Sequence, residues 1–360
     1  MMESTRGKLR TGVMILVLLL MFVSLACGIS RRVPESVITA APLVEQQPVT
    51  ISTATLAPVI PEPTQADAQP QVTAAPAATA VPDDAVIVGK HLGDTARGFG
   101  YAMIPLRIID PADPGILYKA EEGKRLVAVE VVFANIAGEV IDVNPLKFTL
   151  YDTSNNEFDL DLMGAAGQIG NVGLYPGERI KGLVGYKVPE GAIPARLVFD
   201  RKFFSGDILE ANLSEPPAGN SMPPLVFTPR VETSKLGQTT ELSGYAVTAL
   251  TVEDPTEPGV MYKAVEGYKL VAVEVTLENK SNQTPLFVNL LYAMLVDNNG
   301  YVYRSELFGK KDQITGGEMA QGEKITGWFS FVIPQDAAPA YFKYEFDSAL
   351  TNYLTAGLGN

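Results

Sequence analysis

Residues 110–135 of this chain, DPADPGILYKAEEGKRLVAVEVVFAN, return at 254–279 as DPTEPGVMYKAVEGYKLVAVEVTLEN, with sixteen of twenty-six positions identical and no gap. Matches continue downstream almost in register: Asp152 with Asp297, Gly177-Glu178 with Gly322-Glu323, Gly182 with Gly327, Pro189 with Pro334. A register that slips by a single residue over so long a stretch means two copies of one domain. Whatever fold the chain adopts, it must be built twice. A chemical feature present in only one copy is then a weak candidate for what the unit does.

Each copy reads as all-β. Val127, Val129, Val131 and Phe133 alternate with Leu126, Ala128, Glu130 and Val132, and the second copy repeats the row as Val271, Val273, Val275 and Leu277. β-Branched residues with period two mark a strand, and the face lacking the glutamate is expected to be the core. A later strand alternates Ile180, Gly182, Val184, Tyr186, Val188, matched by Ile325, Gly327, Phe329, Phe331, Ile333. The apolar runs 146–151 and 290–296 are predicted as strands closed by the turns DTSNN and DNNG. About seven short strands per copy, with turns at regular spacing, predict a β-sandwich.

The ends and joints divide the chain further. Residues 1–27 carry Arg6, Lys8 and Arg10 ahead of an apolar run from Val13 to Ala26, too short for an ordinary spanning helix, and so read as a signal segment. The run closes on Ala26-Cys27-Gly28, which resembles a bacterial lipoprotein signal with Cys27 as the lipidated residue; an uncleaved anchor is the alternative. Either one puts the rest of the chain on the outer side of the cell membrane. Residues 28–85 hold nine prolines and no aromatic residue, the composition of a disordered stalk that reaches about 40 Å as a coil. Domain one is placed at 86–213, a Pro-rich linker at 214–238 and domain two at 239–360. Loss of the signal would remove three basic residues and one acidic one, taking the net charge from −13 to −15. So acidic a chain argues against nucleic acid as a partner and leaves the membrane anchor and an envelope or extracellular protein. No cysteine besides Cys27 is present, which excludes disulfides and thiolate metal sites.

Taken together, the acidic Pro/Gly loop, EGxxLVAVEVxxxN, the D…NN turn, the PGE or QGE turn and the closing VP or IP resemble the DUF4352 family. The resemblance covers roughly 95–203 and 240–347. It implies two tandem telokin-like, immunoglobulin-like β-sandwiches of the kind found in bacterial secreted proteins and lipoproteins, with no established general activity.

Catalytic chemistry is sparse. The one histidine, His91, sits at the edge of the first copy without a counterpart, so a Ser-His-Asp hydrolase is not expected and the chain reads as a non-enzyme. Gly164, Gly167, Gly170 and Gly173 lack the lysine and helix of a phosphate loop and read as a mobile loop. The repeated acids Asp110, Asp113, Asp254 and Glu257 form the candidate metal site. Two hard oxygen ligands per copy could contribute to a calcium shell, with Asp152 and Asp297 as further donors, and would make a calcium-dependent adhesive or stabilised module the alternative function. The simpler reading is turn chemistry, Asp and Pro beginning a turn that Gly115 and Gly259 finish. Glu130 and Glu274 are expected to pair with a cross-strand lysine such as Lys181 or Lys187. Tyr118-Lys119 and Tyr262-Lys263 are expected to pin the acidic loop. Trp328, outward by alternation, is the candidate partner-binding residue, or else packs against the linker or the other copy.

Overall fold

The computed structural model describes residues 86–114, 118–165, 167–201, 206–217, 226–260, 262, 266–281, 286–346 and 353–359. The signal segment with Cys27 and the stalk lie outside the described residues. In the first copy the strands are β1 (Ala96–Gly98), β2 (Tyr101–Ile109), β3 (Lys124–Asn135), β4 (Ile141–Val143), β5 (Phe148–Asp152), β6 (Glu157–Asp159), β7 (Val172–Leu174), β8 (Arg179–Pro189), β9 (Pro194–Asp200) and β10 (Ile208–Asn212). The second copy has β11 (Thr239–Leu242), β12 (Tyr245–Glu253), β13 (Tyr268–Asn279), β14 (Leu286–Asn289), β15 (Ala293–Asp297), β16 (Val302–Arg304), β17 (Gly316–Met319), β18 (Lys324–Pro334), β19 (Pro339–Glu345) and β20 (Tyr353–Gly357).

Both copies have one topology. A sheet β1-β2-β3-β8 faces a sheet β10-β9-β5-β6, with a ribbon β4-β7 at one end; the second copy repeats this as β11-β12-β13-β18, β20-β19-β15-β16 and β14-β17. The long central strands β3 and β13 carry the repeat and pair antiparallel on both sides. Val127, Val129, Val131 and Phe133 are fully buried against Phe148, Leu150, Leu197 and Phe199 of the opposite sheet. The face without the glutamate is therefore the core, as alternation predicts.

Three expectations change in detail. Among the described residues ten strands form per copy rather than about seven, because pieces of three residues such as β1, β4 and β7 are too short to show alternation. The runs 146–151 and 290–296 begin as single 3-10 turns, Pro145–Lys147 and Leu290–Tyr292, before the strands start. Asn144 and Asn289 impose this: each side chain accepts the N–H two residues on, at 2.9 Å. The glycine-rich segment read as a mobile loop is packed. Gln168 pairs with Leu183 across an isolated bridge, its side chain accepts the Gly185 N–H at 2.8 Å, and Ile169 N–H donates to Leu183 O. The segment lies over the outer face of β3 and β8, where Leu126, Ala128 and Ala165 form a small second core.

The repeated polar letters have local tasks. Asn135, fully buried at the end of β3, donates to Glu139 O and Leu174 O, both at 2.7 Å, and accepts the Ala137 N–H. Its backbone clamps the PGE turn, accepting from Gly177 and donating to Glu178 O. Asn279 grips Met319 O and the QGE turn in the same way. Gly177 and Gly322 take φ of 80° and 77°, which favours glycine in these turns. Asp152 accepts the N–H of Ser154 and Asn156, and Asp297 those of Asn299 and Tyr301.

The copies are not independent beads. Met294, Val296, Val302, Tyr341 and Tyr353 of the second copy belong to the same buried cluster as the core of the first. The ribbon and PGE turn of copy one sit on the outer face of the β16-β15-β19-β20 sheet. Arg230, in the linker, lies over the rings of Tyr175 in copy one and Tyr341 in copy two, 4.2 and 5.6 Å from their centres.

Candidate partner-binding surface

In each copy the first acid of the repeated loop is committed to a base fifteen residues on. Asp110 receives both Nε and Nη2 of Arg125 at 2.7 and 2.8 Å, and Arg125 also donates to the carbonyls of Pro189, Glu190 and Ala192. Asp254 pairs with Lys269 at 2.8 Å. A guanidinium or ammonium against the carboxylate has the wrong charge for a calcium shell, so these two acids tie the loop to the start of β3 and β13. Asp113 and Glu257 are exposed, and among the described residues no group of three or more His, Cys, Asp or Glu is gathered as metal ligands. Asp152 and Asp297, the further donors considered, are turned inward onto their own turns; the hydrogen bonds from Asn156 hold the Asp152 carboxyl below its ordinary range.

Other expected contacts form in copy one. Glu130 pairs with Lys181 at 3.2 Å and also with Arg107 at 2.7 Å, while Lys187 turns to Glu121. Tyr118 does pin the acidic loop, its hydroxyl donating to Asp161 at 2.6 Å in the covering segment; Lys263 lies outside the described residues. His91 Nδ1 is 3.0 Å from Ser214 Oγ. Among the described residues no carboxylate is bonded to the ring, and the nearby Asp94 accepts the backbone N–H groups of Lys90 and His91. That contact ties the first strand region to the start of the linker.

Trp328 is half-buried, and among the described residues its cover comes from its own copy. The segment 305–314 of its own copy lies across it: Ile314 N–H donates to Trp328 O at 2.8 Å, and Lys310 Nζ stands 4.5 Å from the ring centre. Lys310 is held there by Glu253 at 2.5 Å, and that hydrogen bond lowers the Glu253 pKa. The indole thus supports a loop rather than forming the outermost surface.

What the loop exposes was missed in the sequence. Its turn carries Leu307 and Phe308, 52% and 49% exposed, and the corresponding turn of copy one carries Leu162 and Met163, 67% and 48% exposed. Val260, fully exposed, stands beside the second pair, since Gly259 N–H donates to Gly309 O at 2.7 Å. Glycine explains the geometry. A Cβ on Gly164 would lie 2.8 Å from the Gly185 carbonyl carbon, and one on Gly309 would lie 2.2 Å from Ser330 Cβ. The backbone presses onto the sheet at the glycine, and the two residues before it are turned to solvent. The signal was legible as DLMG and ELFG at matching positions, but exposure of its apolar pair needed the fold.

The architecture defines a tandem of immunoglobulin-like β-sandwiches. The description "Domain of unknown function (DUF4352)" matches residues 106–210 and 234–353, and the chain belongs to that family. Among solved structures, the yjhA protein of Bacillus subtilis is 23% identical, with TM-score 0.28, over 35% of this chain and 99% of its own. The secreted protein MPT63 of Mycobacterium tuberculosis is 16% identical, with TM-score 0.29, over 36% and 99%. The ycdA protein of Bacillus subtilis, a candidate lipoprotein, is 14% identical, with TM-score 0.29, over 34% of this chain and 38% of its own. No curated protein matches the sequence.

Proposed function

We propose that this chain is a membrane-anchored, extracytoplasmic and non-catalytic module that displays two immunoglobulin-like domains to an envelope or extracellular protein. The observation that carries the reading is the duplicated apolar turn. Leu162-Met163 and Leu307-Phe308 are pairs of large apolar side chains held in solvent by glycine-dependent packing, at the same place in both copies. None of the four belongs to a core cluster, whereas burying the exposed half of each against a partner stabilises a complex by about 1 kcal/mol per side chain. The signal segment, Cys27 and the Pro-rich stalk support display beyond the membrane.

The test uses full-length protein extracted from its native membrane. Its intact mass is expected to correspond to a chain beginning at diacylated Cys27; retention of Met1 would point to the plain anchor instead. Crosslinked partners are then compared between the natural chain and a Leu162→Ser, Met163→Ser, Leu307→Ser, Phe308→Ser variant. Partner recovery is expected to fall about tenfold or more in the variant. Equal recovery from a folded variant removes these turns as the contact surface.

A further inference from the structure

The junction between the copies contains a charged cluster with no access to water. Glu178, from the PGE turn of copy one, and Lys343, from β19 of copy two, are both 0% exposed and 2.6 Å apart. The Glu178 carboxylate also accepts the Tyr341 hydroxyl at 2.5 Å and the Tyr175 N–H at 2.8 Å. Lys343 donates in addition to Gly173 O at 2.8 Å and lies over the rings of Tyr353 and Tyr175, 4.1 and 4.6 Å from their centres. Around this centre Arg179 donates twice to Asn299 O, its N–H donates to Gly300 O, and Arg304 donates to Asn171 O at 2.6 Å.

The two halves of the cluster are not interchangeable. Glu323, the counterpart of Glu178, closes its own turn by accepting the Ala320 N–H at 2.7 Å but is exposed. At the places of Tyr341 and Lys343, copy one carries Arg196 and Val198. Arg196 is bound to Glu210 and Asn155 and lies 4.1 Å from the Tyr151 ring centre, a polar surface built for water. The turn of copy one buries its glutamate whereas that of copy two exposes it, and the lysine and phenol that receive Glu178 come from copy two. A buried ion pair contributes little net stability compared with apolar residues of the same volume, yet breaking it leaves a buried unpaired charge at heavy cost. Its physical effect is to penalise every other arrangement of the two bodies.

We propose that the Glu178–Lys343 pair is an orientation latch that joins the two sandwiches in one docking geometry and one order. Val127, Val129 and Phe133 of copy one and Val271, Val273 and Phe329 of copy two lie in separate buried clusters, while Met294, Val296, Val302, Tyr341 and Tyr353 pack across the junction, so releasing the latch loosens the junction and leaves the two central sheets folded. The partner reading above is not required for this, although a closed latch would hold the two apolar turns at a fixed spacing and favour a target that presents two matching sites.

The experiment is hydrogen exchange on the full-length chain, comparing Glu178→Gln, Lys343→Met and the double variant with the natural protein. The amide of Arg179, bonded across the junction to Gly300 O, reports the latch, and amides of Val129 and Val273 in the central strands report the two cores. Each single variant is expected to speed exchange at Arg179 by at least about tenfold while Val129 and Val273 stay protected. The double variant, which leaves no buried unpaired charge, is expected to restore most of the protection. Unchanged exchange at Arg179 in the single variants would overturn the proposal. So would loss of protection in β3 and β13 together with the junction, or a double variant no better than the singles.

Discussion

Asn135 shows how a single repeated letter works at the scale of one residue. The motif EGxxLVAVEVxxxN ends on a side chain that saturates Glu139 O, Leu174 O and the Ala137 N–H in a fully buried position. Asn135→Ala leaves these groups without partners and is expected to cost about 2–4 kcal/mol, since each unsatisfied buried polar group costs about 1–3 kcal/mol. Asn135→Asp should also destabilise, because it replaces the donating amide with a second acceptor facing two carbonyls. Chemical denaturation of the two variants against the natural chain measures both. The sequence showed the asparagine as repeated but not as buried. Its partner Leu174 lies 39 residues away, beyond the reach of any local pattern. Tyr186 and its counterpart Phe331 mark the opposite case: both are fully buried, and the Tyr186 hydroxyl finds no partner among the described residues, so the pair preserves ring volume rather than polarity.

At the scale of elements, the central strands were legible and the segment that covers them was not. Period-two alternation is a property of neighbouring residues, and it located the buried rows of β3 and β13 correctly. Core volume is redistributed between the copies. Phe148 of copy one is Ala293 in copy two, and Val184 is Phe329, so an aromatic ring lost from one sheet is gained on the other. The covering segments carry glycine and polar residues, which read as mobility when their contacts are unseen. Their packing depends on close backbone approach at Gly164 and Gly309. Gly309→Ala is expected to lift the 305–314 segment from Ser330 and to cost about 1–3 kcal/mol through overpacking. Trp328, the one tryptophan of the chain, reports it as a red shift of emission. Gly138→Ala, where a Cβ would meet nothing within 4 Å, should leave both stability and emission unchanged.

For the whole molecule, the alkaline limit follows from its phenols. Tyr186 is raised well above its ordinary range by burial, and burial likewise raises Tyr101, Tyr175, Tyr303, Tyr341, Tyr344 and Tyr353; the carboxylates of Asp297 and Glu178 add to the shift of Tyr303 and Tyr341. A raised native pKa means the folded chain keeps protons that the unfolded chain loses near pH 10. The corresponding stability is fully present below about pH 10 and is lost as pH rises beyond it. Lys343 and Arg304 work in the opposite sense, since burial lowers their pKa values, but they are two groups against seven phenols. Denaturation midpoints should therefore fall steeply above about pH 10, and phenolate absorbance of these tyrosines should appear together with unfolding rather than before it. Phenolate formation in full with the fold intact would contradict this assignment.

The sequence by itself determined the duplication, the all-β class, the core face of the central strand and the turns that bracket it. Those properties arise between residues a few positions apart, where backbone sterics and side-chain alternation decide. Only the tertiary structure decided that the copies share one buried junction, that Trp328 lies beneath a loop, and that two apolar pairs face solvent. Glu178 and Lys343 stand 165 positions apart. What each letter means there is set by the burial of the other, and burial is a property of the assembled fold.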